Sequence, residues 1–362
     1  MTPEKFMGTF SVQHAILFSA LFIFHTMYAI YEVTITAFFA RSLLETVSHF
    51  YIATYLFAFN FQWYFMLYSI RTFHENEIFL EDFKCTQTHA DFATRELDEN
   101  VYIFTRVLFV SCLCWTVNSS THIIGPAIEA LISLIKTGQI DNVLFILPPV
   151  FSTPWWAQII IYFCNAITMF GLLLYCLASY TIMGFKVLKL KTLCDILNEA
   201  LRNDVEEESN IKAYIKDHQI IIKAAKLLNA QLRTLNGFMF TACYLEFAVQ
   251  LFALTLIDPS GSYYFALALD LSSIFLILVF QCWMGTMITH SLETVANGVY
   301  ESLWYSRGNN NRSEVILMTQ MAQKPFVQTI WLGTLKVERA TSLSLVRSSY
   351  AMYTLLNFFQ DK

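Results

Sequence analysis

Five ionisable side chains lie within long apolar runs of this sequence: Glu32, Arg106, Glu246, Asp270 and Arg347. A charge in an apolar segment is costly unless water, an opposite charge or a hydrogen-bonding group meets it. Glu32 and Arg106 stand near the ends of their runs, where reaching to a polar boundary accounts for them. Glu246 in CYLEFAVQ and Asp270 in ALALDLSS stand deeper. Two readings hold for them, a water-filled cavity or a carboxyl paired inside a helical bundle. A second pattern is a stripe: Ser344, Ser348, Ala351, Leu355 and Phe359 share one face at helical period. The face is small and polar first, bulky and apolar last. That order fits a wettable vestibule closed by a hydrophobic constriction, which gates by dewetting, and it equally fits a mildly polar packing helix. Arg347, next to Ser348, agrees with nearby water. A third group is Phe57, Phe61, Trp115, Met169, Phe170 and Phe265, with Ser111 as a polar contact. Ligand pockets are mostly apolar with a few polar fixers, and the same residues also suit plain core.

Familiar catalytic and metal-binding patterns are missing. The eight histidines, at 14, 25, 49, 74, 89, 122, 218 and 290, make no HExxH or other ligand spacing, and there is no GxSxG, P-loop or dinucleotide fingerprint. The eight cysteines form no CxxC; six fall in apolar runs as small buried hydrophobes, and Cys85 and Cys194 fall in charged loops. No enzyme activity and no cofactor are expected. The sequon at Asn118 stands at the end of an apolar run, too near a membrane for glycosylation.

The elements that must position these residues follow from composition. Of 362 residues, 56% are hydrophobic and 14% charged, against about 25% charged in a soluble globule. Too few charges remain to cover a soluble surface, and a net charge of −5 lacks the basic excess that nucleic acid requires. Mean hydropathy is +0.48 over the whole length, so the apolar surplus is not one signal or anchor. Met1–Phe10 runs directly into apolar sequence with no small-residue cleavage site, and no cleavable signal peptide is expected. Spanning the hydrocarbon takes about 20 residues of helix, and seven stretches qualify or nearly do: 12–39, 49–71, 101–123, 156–185, 235–257, 263–289 and 339–360. The seven prolines lie outside these stretches, so unkinked helices are expected. Seventeen Lys and Arg fall in the termini and loops on one side and three on the other. By the positive-inside rule the N-terminus is cytoplasmic and the C-terminus extracellular.

The fold class is therefore an all-α, multi-pass membrane protein of seven transmembrane helices with a cytoplasmic helical anchor region. Residues 1–185 carry the first four spans and an outer-half ligand pocket, 186–234 anchor helices, 235–289 the fifth and sixth spans, 290–338 a further anchor segment, and 339–362 a pore-lining helix. Within the anchor, Ile211, Tyr214, Ile221, Ala225, Leu228 and Leu232 form one helical stripe, and Lys212, Lys216, Lys223 and Lys226 the other. Such a helix either lies on anionic lipid of the inner leaflet or packs against other helices, and packing is favoured because 186–202 and 291–305 offer further amphipathic surface.

The C-terminal half resembles the insect odorant receptors. Asn297–Tyr305 (NGVYESLWY) is similar to their A-x-Y-x-x-x-W-Y segment, Met321–Pro325 to their S-Q-K-P segment, and Ser348–Leu356 to their terminal S-Y-S-Y-F-T-V-L signature. His218-Gln219 falls where the family has H-Q. The resemblance implies an odorant-binding subunit of a ligand-gated, nonselective cation channel in the plasma membrane of olfactory sensory neurons. It would form a heterotetramer with the coreceptor Orco, around a pore lined by the seventh helix. It further implies gate positions at Leu355 and Phe359, with Phe358 where the coreceptor has Gln, and an odorant pocket near Leu108, Ser111, Trp115, Ala166, Met169 and Phe170. The short loop before the fifth span implies a tuning receptor rather than the coreceptor. Expected partners are a small volatile ligand, Orco and membrane lipid, and no nucleic acid. A gustatory receptor of the same fold is the first alternative, although its T-Y-h-h-h-h-h-Q-F ending is not met by Tyr350–Gln360. A G-protein-coupled receptor is the second, and it predicts an external N-terminus, an outer-loop disulfide and a Pro-bearing last helix.

Overall fold

The computed structural model describes residues 90–137, 155–203, 211–256, 262–302, 312–324, 326–330, 333 and 335–360, together with Ala20, Ile23, Phe24, Thr26, Met27, Ile30, Thr34, Thr54, Phe57, Asn60, Phe61 and Phe83. Most of the expected spans at 12–39 and 49–71, with Glu32 and the Trp304-Tyr305 pair, lies outside these residues. Four long helices follow one another: α1 (Ala90–Thr137), α2 (Trp155–Asn203), α3 (Ile211–Leu256) and α4 (Ser262–Glu301). A short α5 (Arg312–Ala322) leads into strands β1 (Thr329–Ile330) and β2 (Leu335–Lys336), and α6 (Arg339–Gln360) closes the chain. By length and composition three described helices can cross a membrane: Asp91–Lys136, Ile211–Leu256 and Tyr264–Glu301.

The helices run further than the apolar stretches suggest. Between Ile211 and Leu256 there is no proline, so the amphipathic stretch and the apolar one form a single helix of 46 residues. At 1.5 Å per residue it is about 69 Å long, more than twice the roughly 30 Å of a hydrocarbon core. α2 is likewise unbroken over 49 residues. Pro126 lies outside the apolar stretch 101–123 but not outside the helix, because α1 continues past it to Thr137. A helix absorbs one proline by giving up a backbone hydrogen bond.

The densest core lies where the extended parts of α2, α3 and α4 pack together. Val187, Leu190, Cys194, Leu197 and Leu201 repeat every three or four residues along α2 and are all buried. Cys194, expected in a charged loop, is thus fully buried in a helix face. The predicted stripe of α3, from Ile211 to Leu232, is buried inside the protein, and Lys212, Lys216, Lys223 and Lys226 are exposed. Gly184 allows close approach of α1, since a Cβ there would collide with the Phe104 ring. Polar links tie the helices: Asn100 Nδ2 donates to Thr192 Oγ1 at 3.4 Å, Asn198 Nδ2 to Thr294 Oγ1 at 3.2 Å, and Lys186 Nζ to Gln231 Oε1 at 2.9 Å. Lys191 bridges Asp195 at 2.7 Å and Glu96 at 3.5 Å. Burial raises the Asp195 carboxyl above its usual range, against the pull of Lys191.

A small hairpin departs from the all-α expectation. Thr329 pairs with Lys336 and Ile330 with Leu335, and Gly333 supplies the left-handed turn at φ 86°. Thr329 N donates to Asn229 Oδ1 of α3 at 3.1 Å. The hairpin therefore sets the start of α6 against α3 and α4.

Candidate functional site

α6 carries the stripe of candidate pore residues. At 100° per residue, Ser344, Ser348, Ala351, Leu355, Phe358 and Phe359 fall on one side and Ser349 on the opposite side. The structure follows that division. Ser344, Ser348, Ala351, Leu355, Phe358 and Phe359 are all exposed in the subunit, with Leu355 at 53% and Phe359 at 64%. Ser349 is 1% exposed, its hydroxyl within reach of Tyr244 O on α3 at 3.2 Å and Leu345 O at 2.9 Å. Leu345 and Val346 pack on the core from the same side. At the start of the helix, Arg339 N donates to Thr286 Oγ1 of α4 at 3.2 Å. Arg347 is exposed beside the stripe.

The residues expected to form a pocket divide into two sets. Ser111 and Trp115 are buried one turn apart on α1, and Leu108 is half-buried against the core. The Trp115 ring lies 5.5 Å from Tyr180 of α2, which meets Phe280 of α4 edge-on at 5.3 Å. Gln281 Nε2 donates to the Tyr180 hydroxyl at 3.2 Å. Trp115 Nε1 and Gln281 Oε1 are buried without a hydrogen-bond partner, so this cluster holds one spare donor and one spare acceptor. Ala166 is half-buried, and the Met169 side chain lies outside the described residues. Phe57, Phe170 and Phe265 are 63%, 47% and 61% exposed in the single chain and do not join the cluster. Phe61 packs instead on Phe238 of α3 at 3.9 Å. Sequence reading passed over Tyr180, Phe280 and Gln281, though a glutamine within the apolar run VFQCW was a signal of the same kind as Asp270.

The ionisable residues separate as clearly. Arg106 is exposed, with its guanidinium 4.5 Å over the Tyr102 ring. Glu246 and Asp270 are 3% and 8% exposed, and Asn118 Nδ2 donates to Asp270 Oδ1 at 2.6 Å. Both carboxyls therefore lie inside the bundle. His218 is 4% exposed on α3, and burial lowers its pKa from 6.5 to about 4, so its imidazole is neutral at physiological pH. The described cysteines Cys112, Cys114, Cys194, Cys243 and Cys282 are free thiols.

This architecture has relatives. A family model, 7tm Odorant receptor, matches residues 42–350. Among solved structures, the chain is similar to the insect olfactory receptor OR5 from Machilis hrabei in complex with eugenol, with a TM-score of 0.79 at 14% identity, covering 94% of this chain and 88% of that one. It is similar to the same receptor in a second structure at TM-score 0.78 and 14% identity, covering 98% and 91%. At that identity the likeness is one of fold. No curated protein matches the sequence. The family match lends no support to a G-protein-coupled receptor. It covers most of the chain, including the Ser111–Trp115 cluster and α6 as far as Tyr350, and this chain belongs to the 7tm odorant receptor family.

Proposed function

We propose that this chain is a tuning odorant receptor: it binds a small volatile ligand within its helical bundle and opens a nonselective cation pore lined by α6. The observation that carries the reading is the exposed stripe of α6. A helix that buries Ser349 and leaves Leu355, Phe358 and Phe359 more than half exposed offers that face to other subunits or to the contents of a pore. Near its start, Ser344 and Ser348 can hold water; near its end, the apolar side chains expel it until they separate. The ligand acts only through its different affinity for the closed and open packings. The cluster of Ser111, Trp115, Tyr180 and Gln281 supports a ligand that is mostly apolar with one polar group, since it offers one donor and one acceptor. The eugenol complex of the Machilis hrabei receptor supports a ligand of similar size.

In this reading the N-terminus is cytoplasmic, the extended ends of α2, α3 and α4 with α5 and the hairpin form the anchor, and the chain assembles with Orco in the plasma membrane of olfactory sensory neurons. The test is to express the chain with and without Orco and record currents over a broad odorant panel. Odorant-evoked cation current that requires both chains is expected. Silence across the panel from protein present at the cell surface would overturn the proposal.

A further inference from the structure

A continuous line of contacts joins the Trp115–Tyr180 cluster to the first residues of α6 through one short stretch of α4. At one end Gln281, 1% exposed, donates from Nε2 to the Tyr180 hydroxyl of α2 at 3.2 Å, and the Tyr180 ring meets Trp115 at 5.5 Å. One turn further along α4, Gly285 lies directly against Val337, where a Cβ would collide with the Val337 carbonyl oxygen and side chain. Beside it, Thr286 Oγ1 donates to Cys282 O at 2.9 Å and accepts from Arg339 N at 3.2 Å. A hydroxyl has one proton, so the bond to Cys282 fixes which way the Thr286 oxygen turns its lone pairs. Gln281 and Thr286 are separated by about 7.5 Å of helix.

Two features suit this stretch to passing on a displacement. Gly285 brings the α4 backbone onto Val337 with no α4 side chain between them to absorb a shift. Val337 is fully buried and its N–H donates to Gln328 O at 2.8 Å, so it has no room of its own to yield. The second feature is Gln281. A buried amide in an apolar stretch is costly, and this one has a bonded end and a bare one, since Oε1 has no partner. Its single bond is a latch of small net strength, worth about fivefold in an equilibrium. A polar group on a ligand can open it by bonding to Gln281 or Tyr180 instead. We infer that Gln281 is a positioning residue: its bond to Tyr180 holds α4 in the closed packing against the base of α6, and a ligand that takes that bond shifts 281–286 and with them the start of the pore helix. The inference rests on the reading of this chain as an odorant-gated channel.

The first test needs neither ligand nor current. Hydrogen exchange is followed on the purified full-length chain as wild type, Gln281→Met and Thr286→Val. Both variants speed exchange of the backbone amides of 337–341 about fivefold, and Thr286→Ser, which keeps the hydroxyl, leaves them at the wild-type rate. Faster exchange in Gln281→Met confined to 177–184 and 278–284 overturns the link. The second test is a double-mutant cycle on odorant-free current in cells co-expressing Orco, at equal surface expression. Tyr180→Phe and Gln281→Met each raise that current about fivefold, and the double variant raises it no further, because all three remove the same bond. Additive effects, or none, overturn the assignment. Should Gln281→Met fail to fold, Tyr180→Phe, which deletes one oxygen, carries the exchange and current measurements alone. Exchange that responds as expected in a chain silent to the whole odorant panel supports the link and overturns the channel reading.

Discussion

Leu355→Ala is the sharpest test of the α6 stripe. Leucine carries three more carbons than alanine, worth about 2.4 kcal/mol when fully buried, at ~0.8 kcal/mol per methylene. In the single subunit Leu355 keeps 53% of its surface exposed, so roughly half of that, about 1.3 kcal/mol, is left for contacts the closed channel makes across its axis. Losing it shifts the closed–open balance about tenfold toward open for each mutated subunit. In cells co-expressing Orco, the variant is expected to raise odorant-free current relative to the evoked maximum and to move the odorant dose–response curve to lower concentration. Leu113→Ala removes the same number of carbons at a position of α1 that is 56% exposed and falls within the expected span 101–123. Lipid tails are as apolar as that side chain, so the control should change neither quantity. Unchanged basal current and unchanged dose–response for Leu355→Ala, at equal surface expression, would refute the placement of the constriction on this face.

Two further outcomes follow from burial elsewhere. A Cβ at Gly285 would meet the Val337 carbonyl oxygen and side chain, and backbone does not yield cheaply. Gly285→Ala should therefore destabilise the purified protein by about 1–3 kcal/mol, seen as a lower unfolding midpoint and reduced surface expression. His218 has its pKa lowered from 6.5 to about 4 by burial. Below pH 6.5 the unfolded chain takes up a proton that the folded one refuses, so stability is complete above that pH and declines as pH falls toward 4. The decline amounts to about 3 kcal/mol and should flatten in His218→Gln. An equal acid limb in that variant would exclude His218 as its source.

Much of the fold was legible because apolar periodicity and membrane thickness act on every residue of a span. The stripe of α3 from Ile211 to Leu232 and the divided faces of α6 were both readable at the helical period. The helix lengths were not. Hydropathy falls where α2 and α3 leave the apolar stretch, yet the backbone continues because nothing in their sequences breaks it. Cys194 shows the same effect: the segment between spans that holds it carries Lys186, Lys189 and Lys191, and the spacing from Val187 to Leu201 encodes a buried helix face. The pocket was legible only in part. Composition nominated Phe170 and Phe265 with Trp115, but which side of a wholly apolar helix faces inward is decided by contacts between helices. Tyr180, Phe280 and Gln281 therefore came to light only in three dimensions. The hairpin that positions α6 has two-residue strands, too short for any alternation to show.

How α6 is held explains where its movement would concentrate. Its first turn is fixed by the hairpin, by Arg339 on Thr286 and by the close approach of Val337 to Gly285. Its middle is seated by buried Ser349, whose one hydroxyl proton is shared between Leu345 O of its own helix at 2.9 Å and the Tyr244 carbonyl of α3 at 3.2 Å. Beyond Ser349, half-buried Met352, Tyr353 and Leu356 make its contacts, while Leu355, Phe358 and Phe359 face outward. A rod pinned at its base and centre swings most at its free end, and that end carries the bulky apolar side chains. A shift in the packing of α3 or α4, the two helices that supply both pins, is thereby converted into the largest displacement at the narrowest part of the proposed pore. Ser349→Ala removes the central pin while leaving the exposed face intact. Co-expressed with Orco, it should broaden the range of evoked responses without altering ion selectivity, and a change of selectivity would show that the middle of α6, not its end, sets the constriction.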